Sequence, residues 1–373
     1  MRKIGNVIVL ILIAGTLWHF YGDTFTKSGA QGVFTEMRSD FNDLKENPKV
    51  TAAADYIGEE IQHLLDKIKE MSSEQDKSNQ PVPEEPNPSK DSSAVYDVHL
   101  GDSRSDVEQQ TGPPQRSSLN GYGVDWVAYH QNYRNFIMVA YNSDNKVAGL
   151  YTNQNLLPSI NDITYKTSKD AVRSIFDDPM ESIRKGFVNY QLQNKQGYDM
   201  FHVDNKYVTI FYDKHENNTV TAMQIISDHI EQQKQNYFTD PSKKLKKGLE
   251  YQLFDLTNAA RVSHGLSPLS WQQSARKTAR SHSTNMAENN FFAHTNPSGQ
   301  SPFDRMREDN IGFRTAGENL AAGQPSSIFA HEGLMNSLGH RKNILKTNFE
   351  NLVIGVAFND DNQPFYTETF WAD

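Results

Sequence analysis

From Leu245 the apolar residues Leu249, Leu253, Leu256 and Ala260 recur every three or four positions, and this spacing predicts a helix with one buried stripe, stopped at His264-Gly265. Pro268 separates it from the next segment. There Ser270 and Gln273 read as a capping box, and Trp271, Ala275, Ala279, His282 and Met286 fall on one face of the helix that follows. Ser301-Pro302, with Asp304 in the first turn, marks a third helix start, and His331 to Leu338 reads as a fourth helix. The pattern then changes period. Leu352 to Phe358 and Phe365 to Trp371 are β-rich runs joined by Asn359-Asp360-Asp361-Asn362, a hairpin signal. Helices first and antiparallel strands last predict an α+β domain over residues 245–373.

A second pattern occupies residues 95–232. Asp106-Val107, Gly112-Pro113 and Met138-Val139-Ala140-Tyr141 recur in order as Ala171-Val172, Asp178-Pro179 and Thr209-Ile210-Phe211-Tyr212. Each copy reads as helix, turn and strands, with hairpins at Phe136–Tyr141 and Lys146–Thr152 and again at Tyr207–Tyr212 and Thr219–Ile226, so a duplicated α/β module is expected. Tyr122, Trp126, Tyr129 and Tyr133 fall at strand spacing and read as core, with a ligand groove as the alternative.

The N-terminal pattern concerns location. Arg2-Lys3 precedes an uncharged run from Ile4 to Tyr21, so residues 1–22 read as an uncleaved membrane anchor with the remainder outside, or alternatively as a cleaved signal that yields a secreted protein. Within a spacer over 23–71, Ile57, Ile61, Leu64, Ile68 and Met71 form a short heptad-like stripe. Residues 72–94 are Ser-, Glu- and Pro-rich and read as an extended linker.

Composition narrows the function classes. The 373 residues leave room for more than one domain, and the absence of cysteine excludes disulfides and a thiol nucleophile. A net charge of -9 carries no electrostatic footprint for nucleic acid. Candidate chemistry concentrates in the last third, at His294, Glu318 and His340, whereas the contexts of His264, His282 and His331 suggest capping or packing.

The motifs Thr257-Asn258-Ala259-Ala260-Arg261, Leu269-Ser270-Trp271, Phe291-Phe292-Ala293-His294, Gly317-Glu318-Asn319-Leu320, Ser337-Leu338-Gly339-His340-Arg341 and Ile354-Gly355-Val356 resemble the CAP superfamily in its cysteine-free bacterial form. The resemblance implies an α-β-α sandwich, and residues 95–232 look like the N-terminal module that accompanies such domains. It also implies a cleft in which two His and two Glu surround a cation or water. His294, Glu318 and His340 match three of these positions, so they are the candidate ligands of a divalent cation, zinc or calcium. Ser337 stands at the fourth position in place of Glu, and Glu332, five residues earlier, should point elsewhere on the helix. Asn319 and Ser337 are the candidate ligand contacts. Two function classes follow. One is an envelope-bound binding or structural module with a cell-wall, lipid or protein partner; the other is a hydrolase using a metal-bound water or a Glu318-His pair. The chain has no Gly-x-Ser-x-Gly, His-Glu-x-x-His or P-loop pattern, which favours binding.

Overall fold

A computed structural model describes residues 96–373 apart from 157–162, 177 and 193–196, so the expected anchor, spacer and linker lie outside the described residues. Among the described residues no helix is long and apolar enough to cross a membrane. All described elements fall in one compact unit.

The first half is a mixed α/β layer. Helix α1 (Arg104–Thr111) starts at Ser103, whose hydroxyl accepts from the Asp106 N–H while the Asp106 carboxylate accepts from the Ser103 N–H. Strands β1 (Arg116–Leu119), β2 (Asp125–Gln131), β3 (Arg134–Tyr141) and β4 (Val147–Thr152) follow. Helix α2 (Lys169–Ile175) is capped by Ser168, and a short hairpin, β5 (Ser182–Lys185) and β6 (Val188–Gln191), leads to β7 (Tyr198–Val203), β8 (Lys206–Asp213), β9 (Thr219–Ser227) and α3 (Asp228–Gln233). Seven strands form one sheet in the order β1-β2-β3-β4-β9-β8-β7. The predicted hairpins are therefore β3–β4 and β8–β9. Alternation along the strands sends Tyr129, Ile137, Val139, Val208 and Ile210 to one face with Val107 and Val172 of the helices, and Trp126, Phe136, Met138, Tyr151 and Phe211 to the other. Trp126 and Tyr129 are thus buried core residues, and Tyr122 and Tyr133 pack partly buried against the second of these faces.

The second half starts with α4 (Lys243–Ser263), capped by Ser242 and closed where Gly265 takes φ 73°, as the hydrophobic stripe predicts. Next come β10 (Ser270–Trp271), a 3₁₀ turn at Gln273–Ala275, α5 (Arg276–Asn289), α6 (Pro302–Glu308), β11 (Thr315–Ala322), α7 (Ser327–Asn336), α8 (Leu338–Ile344), β12 (Asn351–Phe358) and β13 (Pro364–Ala372). The sheet order is β10-β12-β13-β11, which puts the last strand of the chain in the middle. Leu352, Ile354, Val356, Tyr366 and Phe370 face α4, α7 and α8, whereas Val353, Trp371 and Phe365 face α5 and α6. The result is a three-layer α-β-α arrangement. Gly355 is needed for it: a Cβ there would lie 2.2 Å from the Ala279 carbonyl carbon of α5, so helix and strand meet backbone to backbone.

Two helix predictions need correction. Ser270 does not cap α5; Ser270 and Trp271 pair in parallel with Asn351 and Leu352, and the helix begins only at Arg276 without a side-chain cap. The helix start at Ser301-Pro302 is formed as predicted, and Asp304 completes a capping box with Ser301. The predicted fourth helix is really two, α7 and α8, broken at Ser337, whose backbone is extended.

The halves are locked together. Gly248 of α4 leaves no room for a Cβ, which would fall 2.0 Å from the Leu119 carbonyl oxygen of β1. One turn later Gln252 donates to Ser118 and Leu119. Leu256, Ala259 and Ile328 complete the apolar side of the contact against the sheet. Arg116 pairs with buried Asp255 at 2.8 Å, Arg341 with Asp213 at 2.9 Å, and Tyr151 donates to Glu332 at 2.6 Å.

Candidate functional site

Strand β11 is the sheet edge on which the candidate residues meet, and its alternation divides them. Glu318 pairs across the strand with Thr369 and faces α5 and α6; Asn319 pairs with Glu368 and faces α4 and α8. On the Glu318 side, His294 approaches through Nδ1 at 2.9 Å from Glu318 Oε1, and Arg305 of α6 donates to Oε2 at 2.7 Å. A second Arg305 nitrogen donates to the carbonyls of His294 and Gln300, at 2.8 and 3.0 Å, which fixes the loop that carries His294. Glu318 and Arg305 are buried, whereas His294 is half-exposed.

His282 lies in the core beneath, its Nε2 bonded to the Ala293 carbonyl at 3.0 Å and 3.9 Å from Glu318 Oε1. Burial pushes its imidazole down to about 4. The other two histidines read as structural are so placed: His331 is buried, and His264 Nδ1 meets the Ala260 carbonyl at the end of α4. His340 arrives from α8 around the strand edge, partly exposed; burial, reinforced by neighbouring His294, holds its imidazole at about 4. The structure thus brings His294 and Glu318 into direct contact, whereas His340 is tied to this strand through its carbonyl, which accepts from Asn319, and lies near enough to His294 to be lowered by it.

On the other side of β11 a polar network holds these groups in place. Asn319 donates to the His340 carbonyl at 3.2 Å and to Glu368 at 2.9 Å, and accepts from Asn343 at 2.9 Å. Thr257 of α4 donates to the second Glu368 oxygen at 2.8 Å. Burial raises the Glu368 carboxyl to about 7. Asn319 is fully buried with its amide committed to these partners. Ser337 sits partly exposed at the break between α7 and α8. Glu332 points away, as its helical angle predicts, and meets Tyr151.

Glu368 and Arg305 were not among the sequence candidates. Glu368 had a signal: it shares strand parity with Tyr366 and Phe370, so an acid there must be buried and needs partners. Arg305 had none, because its partner is brought by β11.

The donor set suits a cation poorly. Among the described residues, no three His, Asp or Glu side chains gather closely enough to hold a metal ion. A guanidinium occupies one Glu318 oxygen, and Ser337 supplies no charge at the fourth position.

The fold is an α-β-α sandwich joined to a seven-stranded companion layer. Residues 254–371 match the sequence model of the cysteine-rich secretory protein family, and residues 100–237 match that of the CAP-associated N-terminal domain, so the chain is a CAP-domain protein with that companion domain. It is similar to the uncharacterized membrane protein YlbC of Bacillus subtilis (strain 168), 29% identical over 297 residues that cover 73% of this chain and 82% of that one. The uncharacterized protein YkwD of the same organism is 43% identical over 108 residues, 29% of this chain and 42% of that protein. Among solved structures, an extracellular SCP-domain protein from Bacillus anthracis str. Ames aligns over 79% of this chain and 100% of its own, at TM-score 0.63 and 25% identity. A cysteine-rich secretory protein from Staphylococcus aureus subsp. aureus Mu50 shares the fold alone, at TM-score 0.56 and 13% identity over 74% of this chain and 91% of its own.

Proposed function

We propose that this chain is a membrane-anchored, extracellular envelope protein whose CAP cleft binds a small polar ligand or a polar group of a wall component. The observation that carries the reading is the preorganised donor and acceptor set at β11. Arg305 and His294 hold Glu318, and Asn319, Asn343, Glu368 and Thr257 fix the strand and α8 around it. Such support is what recognition requires and what a merely structural salt bridge would not need. A divalent cation is the weaker occupant because Arg305 already neutralises Glu318. The expected test is retention on purified envelope material at neutral pH. The full chain should bind, and the His294→Ala/His340→Ala double variant should lose about tenfold in affinity, equivalent to about 1.4 kcal/mol. Equal retention of parent and double variant would sink the cleft reading; retention that rises with zinc or calcium and disappears on chelation would move it to a cation site.

A second reading, hydrolysis, draws on His294. With Glu318 accepting from Nδ1–H, Nε2 is left as a lone-pair donor toward solvent, the geometry of an oriented base. Turnover of a soluble substrate that is lost in His294→Gln would favour it.

The companion layer reads as a tandem repeat. Ser103 bridges to Lys146 before β4 as Ser168 bridges to Thr219 at β9, and β4 and β9 meet at the centre of the sheet with β3 and β8 flanking them. Anchoring rests on the apolar run after Arg2-Lys3 and on the name of the Bacillus subtilis relative. Protease added to intact cells should cut between Pro81 and Pro88 and release a soluble fragment. Recovery of a mature chain that begins near Asp23 would instead mean a cleaved signal.

A further inference from the structure

Strands β5 and β6 form a two-stranded hairpin of their own, outside the seven-stranded sheet. Lys185 pairs with Val188, so the loop is the two residues Gly186 and Phe187; only the glycine takes positive φ, at 56°, the pattern of a II′ turn. The hairpin is firmly mounted. Ile183 and Leu192 are buried with Met200, and Tyr190 stacks on Tyr237 at 4.8 Å. The buried Lys185 ammonium donates to the Glu231 carbonyl of α3 at 2.8 Å and to the carboxylate of the same residue. What this mount presents to solvent is apolar: Phe187 is 100% exposed and Val188 51%. Ile175, Phe292 and Phe303, at 42, 46 and 40%, are ordinary half-covered surface residues, whereas a phenyl ring wholly in water is not. A II′ turn needs Gly at its first position and asks nothing of the second, so turn chemistry does not account for Phe187.

The area involved decides between kinds of partner. Covering one phenyl ring and part of a valine removes at most roughly 250 Å² from water on this side, whereas a stable protein–protein contact needs about 1,000 Å² or more in total. A lipid surface sets no such threshold. A single apolar side chain can enter the acyl boundary, and its small free energy suffices where a tether already holds the protein at the bilayer. Charge points the same way. Arg184 is exposed, and its Nε donates to the Gly186 carbonyl at 3.0 Å, which lays the guanidinium along the turn. Lys185 is spent on Glu231, and residues 182–191 contain no Asp or Glu. An exposed ring beside a cation with no acid close in sequence suits the headgroup region of an anionic membrane.

We propose that the turn at Gly186 and Phe187 is a second membrane contact, inserting Phe187 and Val188 at the acyl boundary of an anionic lipid surface while Arg184 meets the headgroups. It rests on the membrane-anchored reading given above, because one ring binds measurably only when the chain is already held at the bilayer. The chain has no cysteine, so Asn189→Cys carries a single polarity-sensitive fluorophore beside an intact Phe187, and Asp360→Cys, in the exposed turn between β12 and β13, is the reference position. The full chain is reconstituted with vesicles of phosphatidylglycerol and phosphatidylcholine. Flotation with the vesicles reports the anchor; blue-shifted emission that nitroxide-bearing lipid quenches reports the turn. The label at 189 should be shifted and quenched, and the label at 360 should be neither. Adding Phe187→Ser should return the label at 189 to its aqueous emission with flotation unchanged. Vesicles of phosphatidylcholine alone should lower the inserted fraction about fivefold, the effect of one basic residue near a charged surface. Flotation without a shift at 189, or a shift that survives Phe187→Ser, would overturn the turn contact and leave the anchor standing; failure to float would overturn both. A shift that appears without lipid and grows with protein concentration would assign the turn to a second copy of the chain instead.

Discussion

A chain ending at Pro364 should fail to form the CAP domain, with no cooperative unfolding transition from its C-terminal half. Residues 365–373 carry nearly all of β13, the strand paired with β12 on one side and β11 on the other. Their removal exposes two rows of backbone donors and acceptors at once. It also takes Phe365, Tyr366, Phe370 and Trp371 out of the cores on both faces, where all four are buried. Large aromatic deletions cost about 3–5 kcal/mol each, and a domain has only about 5–15 kcal/mol to lose. The point variant Phe370→Ala is the graded form of the same experiment, expected to fold with a loss of about 3–5 kcal/mol in denaturant unfolding. Glu318 and Asn319 lie on the strand that β13 holds, so cleft binding should disappear with the truncation. A truncated chain that unfolds with the parent's midpoint would show this account of the sheet to be wrong.

The dependence on one terminal strand explains what the sequence made legible. Period and punctuation found α4, with its stripe and its Gly265 stop, the helix start at Ser301-Pro302 and the hairpin β12–β13, because each is decided by residues within a few positions of one another. Ser270 misled for the opposite reason. Its hydroxyl and Gln273 satisfy a local rule, but pairing with Asn351, distant in sequence, offered the backbone a strand instead. The break at Ser337 is similar: the apolar residues on either side keep a helical period, and only the packing of α7 and α8 turns the chain between them. In the site, His294, Glu318 and His340 stood out by residue type and motif. Their supports did not, since Arg305 and Glu368 acquire meaning only when β11 and β13 lie side by side. Asn319 was visible but its direction was not inferred, although one residue along a strand turns a side chain to the other face.

The contact between the two halves makes a second measurable demand, on pH. Glu332 is buried between α7 and the N-terminal sheet, where Tyr151 donates to it and Asp213 and Arg341 lie nearby. Burial raises its carboxyl from 4.5 to about 7, with Asp213 adding to the effect and Tyr151 and Arg341 opposing it. The sign follows from proton counts. Below pH 4.5 the group is protonated in both folded and unfolded chains and contributes no pH dependence; between 4.5 and about 7 the unfolded chain has released the proton while the folded chain still holds it, so stability falls as pH rises; above about 7 the full penalty is present. That gap corresponds to at most about 3 kcal/mol. Glu332→Gln keeps the shape and an acceptor for Tyr151 but cannot ionise. It should therefore be more stable than the parent by up to about 3 kcal/mol at pH 8, with the advantage shrinking to near zero by pH 4.5. The comparison must be between variant and parent at each pH, because His130, His282, His331 and His340 are all held below their ordinary value by burial and lose stability on acidification in an overlapping window. Denaturant midpoints at pH 5 and pH 8 decide it. A variant no more stable than the parent at pH 8, or an advantage that does not change with pH, would mean that Glu332 is ionised and well solvated in the folded protein, and that the two halves meet less tightly than the Tyr151 contact implies.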